Sequence, residues 1–195
     1  MTENPRLILF ARYPAAGTCK TRLIPALGPV GAAAVHRRLT ERTVEILGAG
    51  SGLVTVAFTG AGQSAFMDWL GIGIEFVEQV EGELTDKLLA CLTPAPVIFF
   101  GADTPDLQEH HVNAAISGLQ THEVVIGPAE DGGYYLIGMR EPRPELFVDM
   151  PWSTERVFPE TLARLDRLGI APLLLDTLAD CDRPEDLARW PDLVT

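Results

Sequence analysis

Aspartates follow three apolar segments of this sequence, each beyond the end of its segment. They are Asp103 after Val97–Phe100, Asp131 after Val124–Ile126, and the pair Asp180 and Asp182 after Leu173–Leu175. In open α/β sheets, ligands bind beyond the carboxyl ends of the strands. Carboxylate oxygens suit Mg²⁺ or Mn²⁺, which typically take one or two carboxylates together with substrate phosphates. We therefore expect Asp103 to bind a divalent metal that in turn holds a diphosphate.

A basic loop follows the first apolar segment. Residues 11–23 read A-R-Y-P-A-A-G-T-C-K-T-R-L and carry Arg12, Lys20 and Arg22. Three cations here could cradle an anion, and a solvated loop that balances an acidic chain fits the spacing equally well. The loop matches neither a Walker A motif nor G-x-G-x-x-G. Lys87, in the first turn of a predicted helix, could also reach a phosphate, although solvation is the simpler explanation.

Several other residues have two interpretations. Asp131-Gly132 between two strands is a strong hairpin signal, while Gly132 and Gly133 together suit a backbone that passes close to a ligand. Asp182, with Pro184 and Glu185 after it, resembles a helix cap. Trp152 is either a core residue, which is the simpler alternative, or a stacking surface for a substrate ring.

Hydrophobic periodicity predicts alternating strands and helices along the whole chain. The predicted strands are 7–10, 53–58, 74–77, 97–100, 124–126, 134–139 and 173–175, and the predicted helices are 29–47, 64–70, one capped by Thr85, 109–119 and 159–168. This alternation favours a largely parallel sheet covered on both faces. The strand at 134–139 has no helix before it and is expected to be the antiparallel exception. His110 and His111, adjacent on one helix, are expected at the surface.

Composition limits the class of protein. With 195 residues the chain suits one domain, 1–195, and its net charge of -12 argues against nucleic acid as a partner. No run approaches the ~18 apolar residues of a membrane span, and the N-terminus lacks a signal-peptide pattern. The scattered Cys19, Cys91 and Cys181 form no zinc or C-x-x-C spacing, so we expect reduced thiols in a cytoplasmic protein.

Four motifs, in order, resemble one known family. They are F-A-R-Y-P-A-A-G-T-C-K-T-R-L, G-A-D-T-P-D-L, G-P-A-E-D-G-G-Y-Y-L-I-G and D-C-D-R-P-E-D-L. They are similar to the radical-SAM/selenodomain-associated transferases, some of which are called arsenosugar-biosynthesis glycosyltransferases. The resemblance spans nearly the whole chain and implies the nucleotide-diphospho-sugar transferase superfamily, with a single-domain, GT-A-like three-layer α/β sandwich. K-T-R-L also resembles the phosphate loop of phospholactate guanylyltransferases.

The resemblance implies roles for individual residues. Asp103 would be the metal-binding aspartate of the D-x-D type, and one of Asp180 and Asp182 the second ligand of Mg²⁺ or Mn²⁺. Arg12, Lys20 and Arg22 would contact nucleotide phosphates, and Asp131 would lie on the acceptor or sugar side. The sequence departs from the family at 82–88, which weakens a role for Lys87, and G-A-D lacks the first aspartate of a full D-x-D.

Three functional hypotheses follow. The first is a metal-dependent glycosyltransferase that moves a sugar from a nucleotide sugar to a small-molecule acceptor, with Asp131 as candidate general base. The second is a nucleotidyltransferase that releases pyrophosphate from a nucleoside triphosphate. The third is a nucleotide-binding module without catalysis.

Overall fold

Seven strands form one sheet in the computed structural model, which describes residues 4–49 and 53–194. They are β1 (Arg6–Arg12), β2 (Leu53–Thr59), β3 (Glu75–Glu78), β4 (Val97–Phe100), β5 (Val124–Pro128), β6 (Tyr134–Met139) and β7 (Leu173–Leu174). Their order across the sheet is β3-β2-β1-β4-β6-β5-β7. Only β6 runs antiparallel to its neighbours, β4 and β5, among these described strands. The expected α/β class and its antiparallel exception are confirmed.

Helices cover both faces of the sheet, so the domain has three layers. They are α1 (Ile24–Ala49), α2 (Gln63–Leu70), α3 (Leu84–Cys91), α4 (Glu109–Gly118) and α5 (Val157–Leu168). Alternation along β1 divides the core, because successive side chains of a strand point to opposite faces. Leu7 and Leu9 pack in the cluster that holds residues of α1, α2 and α4, and Ile8 packs in the cluster under α3 and α5.

The first turn of α1 is separated from the rest by a break at Gly28. Gly28 has φ 69 and ψ 169, and Pro29 follows it. Proline suits the first turn of a helix because its missing N–H would have no partner there. The regular helix therefore starts where the sequence predicts, at Pro29, and Thr21–Leu23 forms a short 3₁₀ helix ahead of it.

Two predicted helix caps are wrong. Thr85 lies inside α3, whose N-cap is Glu83, and the Asp86 carboxylate accepts the Glu83 N–H at 2.9 Å. Asp182 precedes the 3₁₀ helix Pro184–Ala188 without capping it. There the Asp186 carboxylate accepts the N–H groups of Asp182 and Arg183 at 3.0 and 2.7 Å. In both cases an aspartate further along the chain accepts the backbone N–H groups at the start of the helix. In the second case the Asp182 side chain therefore stays available for other contacts.

A third apolar cluster joins the C-terminal segment to the start of α1. It contains Leu23, Val35 and Leu39 from the first part of the chain, and Cys181, Trp190 and Leu193 from the last part. Trp190 also donates its indole N–H to Asp106 at 2.9 Å. This packing holds the loop at 180–182 against the basic loop after β1, although the two are far apart in sequence.

Candidate functional site

The ends of β1, β4, β5 and β7 meet at one edge of the sheet, and a lysine and two aspartates make contact there. Lys20 Nζ lies 2.6 Å from Oδ1 of both Asp103 and Asp182. It also donates to the carbonyl of Cys181 at 2.8 Å. These acceptors account for the three N–H donors of an ammonium group, and the Lys20 side chain is only 5% exposed. We call these residues the Lys20 cluster.

Backbone contacts fix the geometry of the Lys20 cluster. The N–H of Cys181 donates to the carbonyl of Asp103 at 2.9 Å, which ties the two aspartate loops together. Lys20 itself has φ 47 and ψ 43, a left-handed conformation that non-glycine residues seldom adopt. Its carbonyl accepts the N–H of Leu23 at 2.8 Å at the start of the 3₁₀ helix. The lysine is therefore placed by its backbone as well as by its ion pairs.

The ion pairs decide the protonation of the cluster. Desolvation favours the neutral forms of Lys20 and Asp103, but their mutual attraction outweighs it. The Asp103 and Asp182 carboxylates hold the pKa of Lys20 above its usual value, and Lys20 lowers the pKa of Asp103. Both groups are charged at neutral pH.

Asp180 lies next to the cluster without joining its ion pairs. Its Oδ1 accepts a hydrogen bond from the hydroxyl of Thr104 at 2.7 Å. Burial raises the pKa of Asp180 to about 7, and the neighbouring carboxylates, including Asp103 and Asp131, add to the rise. Two aspartates were proposed as the second metal ligand. Asp182 contacts Lys20, as Asp103 does, whereas Asp180 accepts a hydrogen bond from Thr104.

Two polar cavities adjoin at the cluster. One, of about 380 Å³, contains all three cations of the basic loop, and its lining includes Arg12, Lys20, Arg22, His36, Asp103 and Asp182. The other, of about 780 Å³, is lined mainly by carboxylates and hydroxyls, among them Asp131, Ser153, Thr154, Asp180 and Asp182. Arg22 and Asp182 line both cavities, and Arg22 lies 3.7 Å from Asp182. We call them the cation cavity and the carboxylate cavity.

Asp131 forms the turn between β5 and β6, as the hairpin interpretation predicts. Its Oδ1 accepts the N–H of Gly133 at 2.8 Å, and Gly132 has φ 87. A Cβ on Gly132 would lie 2.4 Å from the carbonyl oxygen of Glu155. Packing therefore accounts for Gly132, whereas Gly133 and Asp131 both line a smaller cavity of about 280 Å³ beside Asp103.

Lys87 and Trp152 lie to one side of these contacts. Lys87 is half-buried in the first turn of α3. Trp152 stacks on Phe147 with ring centroids 6.3 Å apart and donates its indole N–H to Thr85 at 2.8 Å. These contacts favour the core interpretation of Trp152, although its ring also reaches the wall of the smallest cavity.

The expectation that both adjacent histidines are at the surface is wrong for His111. It is buried on α4, and its Nδ1 accepts the N–H of Gln108 at 3.0 Å. Ligand atoms of His110, His111 and Asp176 lie within 4.8 Å of one another. Because Nδ1 of the neutral ring is an acceptor, Nε2 carries the proton and has no lone pair for a metal. The hydrogen bond from the Gln108 N–H to His111 therefore argues against a metal bound by His110, His111 and Asp176.

Three supporting residues were not found from the sequence. Thr104 donates to Asp180, Asp186 holds the loop that carries Asp182, and His36 donates Nε2–H to the carbonyl of Arg12 at 2.9 Å. Burial lowers the pKa of His36, which keeps it neutral. Only Asp186 had a usable signal, the D-R-P-E-D spacing, because the other two act across contacts distant in sequence.

Comparisons with known proteins agree with this fold. The chain belongs to the family described as "Uncharacterized protein conserved in bacteria (DUF2064)", whose profile matches residues 43–154. A structure from Desulfovibrio desulfuricans G20, assigned provisionally by name to the nucleotide-diphospho-sugar transferases, has a TM-score of 0.88 and 28% identity over 94% of this chain and 84% of its own. No protein of curated function matches the sequence.

Two more distant structures share the fold alone. The inositol-1-phosphate CTP transferase from T. maritima has a TM-score of 0.60 and 14% identity, over 100% of this chain and 96% of its own. A Mycobacterium tuberculosis H37Rv protein in complex with manganese has a TM-score of 0.56 and 16% identity, over 98% of each chain. The fold is therefore shared with a protein named for the nucleotide-diphospho-sugar transferases and with a CTP transferase. Among the helices of the described ranges, none is long and apolar enough to cross a membrane.

Proposed function

We propose that the protein is a metal-dependent transferase that moves a sugar from a nucleotide-diphosphate sugar to a small-molecule acceptor. One observation carries the proposal: a pair of carboxylates and three cations line one cavity, and a second polar cavity adjoins it across Asp182. The first cavity suits a nucleotide diphosphate, because cations and a metal together stabilise a diphosphate leaving group. The second suits sugar or acceptor hydroxyls, which carboxylates and hydroxyls can bind.

Asp103 and Asp182 are the proposed ligands of Mg²⁺ or Mn²⁺. Their oxygens converge on one point, the Lys20 ammonium, at 2.6 Å each, and the carbonyl of Cys181 faces the same point. An all-oxygen donor set of this kind fits either metal. When bound, the metal would supply positive charge to the diphosphate leaving group. Asp180, the alternative ligand, is engaged by Thr104.

The remaining site residues divide between phosphate and acceptor. Arg12 and Arg22 are exposed in the cation cavity, where they would bind phosphate oxygens. Asp131 is the proposed general base, since the Gly133 N–H fixes one oxygen while its carboxylate faces the carboxylate cavity. Gly133 would provide the wall beside the ligand, and Lys87 stays a weaker candidate for phosphate contact.

The experiment that tests the proposal is product analysis with purified protein. Sugar conjugates of UDP, GDP, CDP and dTDP are supplied with Mn²⁺ or Mg²⁺, and release of nucleoside diphosphate is measured. Asp103→Asn should abolish release while leaving the fold intact, and Asp166→Asn, which changes an exposed carboxylate on α5, should not. Full activity of Asp103→Asn would contradict the proposal.

Nucleotidyl transfer is the second candidate, and the position of the basic loop favours it. Arg12, Lys20 and Arg22 all come from the loop after β1 and lie beside the carboxylate pair, where they would hold a leaving pyrophosphate. The fold shared with a CTP transferase is consistent with this reaction. It predicts pyrophosphate release from a nucleoside triphosphate and a phosphorylated acceptor, in place of nucleoside diphosphate.

Assignment to the radical-SAM-associated and arsenosugar branch is part of the same proposal and rests on the four motifs. A cytoplasmic location is proposed from the three cysteines. Cys19, Cys91 and Cys181 are buried free thiols within the described residues, as expected in a reducing compartment.

A further inference from the structure

Lys20 occupies the place between Asp103 and Asp182 where the proposed metal would bind. Its ammonium uses all three donors on the two carboxylates and the Cys181 carbonyl. With 5% of the side chain exposed, water has little access to replace these partners. A lysine held in this way has no donor left for a phosphate, although its loop forms the wall of the cation cavity.

A metal bound to Oδ1 of both aspartates would compete with the Lys20 ammonium, which contacts those same atoms. Mg²⁺ needs ligand oxygens at about 2.0–2.1 Å, and two cations that close to one oxygen repel each other, so binding at these atoms would separate Lys20 from Asp103 and Asp182. The ammonium would then keep only the carbonyl of Cys181. A buried charge without its partner is strongly unfavourable, so a metal that arrives alone meets a competitor that it cannot easily displace.

A metal bound to a diphosphate meets no such difficulty. The Lys20 cluster carries one net negative charge, which a metal alone would reverse. The complex of a divalent metal with the diphosphate of a nucleotide sugar is formally neutral, so it leaves that charge unchanged. The carboxylates would then bind the metal, and the Lys20 ammonium would bind a phosphate oxygen in the same cavity.

We propose that Lys20 is an internal substitute for the metal, which keeps the carboxylate pair closed until metal and nucleotide arrive together. Binding of the two is therefore coupled: each strengthens the other because both are needed to displace and then re-pair Lys20. The left-handed backbone at residue 20 stays in place during this exchange, and only the side chain reorients. The coupling to nucleotide binding rests on the proposed function. The competition between Lys20 and the metal rests on the contacts of Lys20 alone.

The experiment measures Mn²⁺ binding by electron paramagnetic resonance in the full chain. Wild type, Lys20→Met and Lys87→Met are titrated with Mn²⁺ alone and with Mn²⁺ plus UDP, GDP, CDP or dTDP. Lys87 is the only other lysine in the sequence, so its variant changes net charge equally without touching the cluster. Because Lys87 is itself a candidate phosphate contact, Lys87→Met is the control for Mn²⁺ alone. Lys20→Met should bind Mn²⁺ alone at least about tenfold more tightly than wild type. In wild type one diphosphate should raise Mn²⁺ affinity about 5- to 150-fold, the usual range of coupling between sites, and in Lys20→Met this coupling should largely disappear.

A second measurement does not depend on folding of Lys20→Met. In wild type labelled with ¹³Cε-lysine, the signals of the two lysines are followed by NMR during titration with Mg²⁺. The Lys20 signal should move with Mg²⁺ and the diphosphate together, and much less with either alone.

The outcomes separate the two proposals. Equal affinity of wild type and Lys20→Met for Mn²⁺ alone, or a Lys20 signal that stays fixed when metal and diphosphate bind, overturns the substitution. Tighter Mn²⁺ binding by Lys20→Met, with no response to any nucleotide, supports the substitution and rejects the proposed function.

Discussion

Gly132→Ala tests whether the two glycines after Asp131 serve packing or the approach of a ligand. Gly132 has φ 87, and an added Cβ would lie 2.4 Å from the carbonyl oxygen and 2.6 Å from the Cα of Glu155. Both contacts are with backbone, which cannot rotate away. At Gly133 the nearest atom is a side-chain oxygen, Oδ1 of Asp131, at 3.1 Å. The structure therefore predicts different costs for alanine at two adjacent positions.

The size of the difference follows from two contributions. A left-handed backbone costs alanine about 1–2 kcal/mol, and overpacking against a fixed neighbour typically costs about 1–3 kcal/mol. Movement of the turn would also strain the hydrogen bond from the N–H of Phe158 to the carbonyl of Gly132, at 2.8 Å. We expect Gly132→Ala to lower the free energy of unfolding by about 3 kcal/mol. For a chain of this size that corresponds to a Tm loss of about 6–12 °C.

Urea and thermal unfolding of Gly132→Ala and Gly133→Ala distinguish a packing role from a role in ligand approach. Gly133→Ala should cost no more than about 1 kcal/mol, because Gly133 is not among the glycines with positive φ and its one close neighbour, Oδ1 of Asp131, needs only a small shift within its hydrogen bond. If Gly133 borders the bound ligand, its alanine variant should weaken nucleotide or acceptor binding at nearly unchanged Tm. Equal Tm losses for the two variants would refute the packing argument for Gly132.

Two further variants test the site and the pH response. Asp182→Asn should abolish Mn²⁺ binding and metal-dependent nucleotide release, whereas Asp180→Asn should retain Mn²⁺ binding in the same paramagnetic resonance assay; the reverse result would exchange their roles. Burial lowers the pKa of His111 below its usual 6.5, so the folded state binds fewer protons than the unfolded state just below that pH. The His111 contribution to stability should therefore fall as pH drops through 6.5, by at most about 1.4 kcal/mol per pH unit for its one proton. His36 acts in the same direction because burial lowers its pKa, and Asp180 acts in the opposite direction because its pKa is raised to about 7. His111→Asn should reduce this slope in urea unfolding between pH 7 and pH 5.5, and an unchanged slope would show that His111 is not its source.

The sequence was most informative about the sheet and least informative about helix starts. Alternating apolar segments predicted every strand, and the missing helix before Tyr134 predicted the antiparallel strand β6. The two wrong caps, Thr85 and Asp182, have one physical reason. Each lies within four residues of another aspartate, Asp86 or Asp186, whose carboxylate accepts the N–H groups at the helix start. The residue types around a helix start do not determine which of several side chains accepts the free backbone N–H groups there.

The site shows a different limit of sequence analysis. Lys20 was predicted to contact phosphate, and Asp103 together with one of Asp180 and Asp182 to contact metal, each from its own motif. Lys20 contacts the Asp182 side chain 162 positions further along the chain and the Cys181 carbonyl 161 positions further along. These contacts depend on the left-handed backbone at Lys20 and on the apolar cluster that holds Cys181 against Leu23. Neither condition has a local sequence signature. The sequence therefore identified the residues but did not predict the ion pairs between them.

The electrostatics of the site bear on the proposal that an anionic donor binds together with a metal. The chain carries a net charge of -12, and two further carboxylates, Asp131 and Asp180, line the same cavity as the two carboxylates of the Lys20 cluster. Burial is the main cause that raises the pKa of Asp180 to about 7, and the neighbouring carboxylates add to the rise. A diphosphate approaching alone would meet Arg12 and Arg22 but no free charge on Lys20, because the Lys20 ammonium is already neutralised by its own partners. Under our proposal a divalent cation would offset the carboxylates and free the lysine for a phosphate, so the metal and nucleotide requirements would follow from the same contacts.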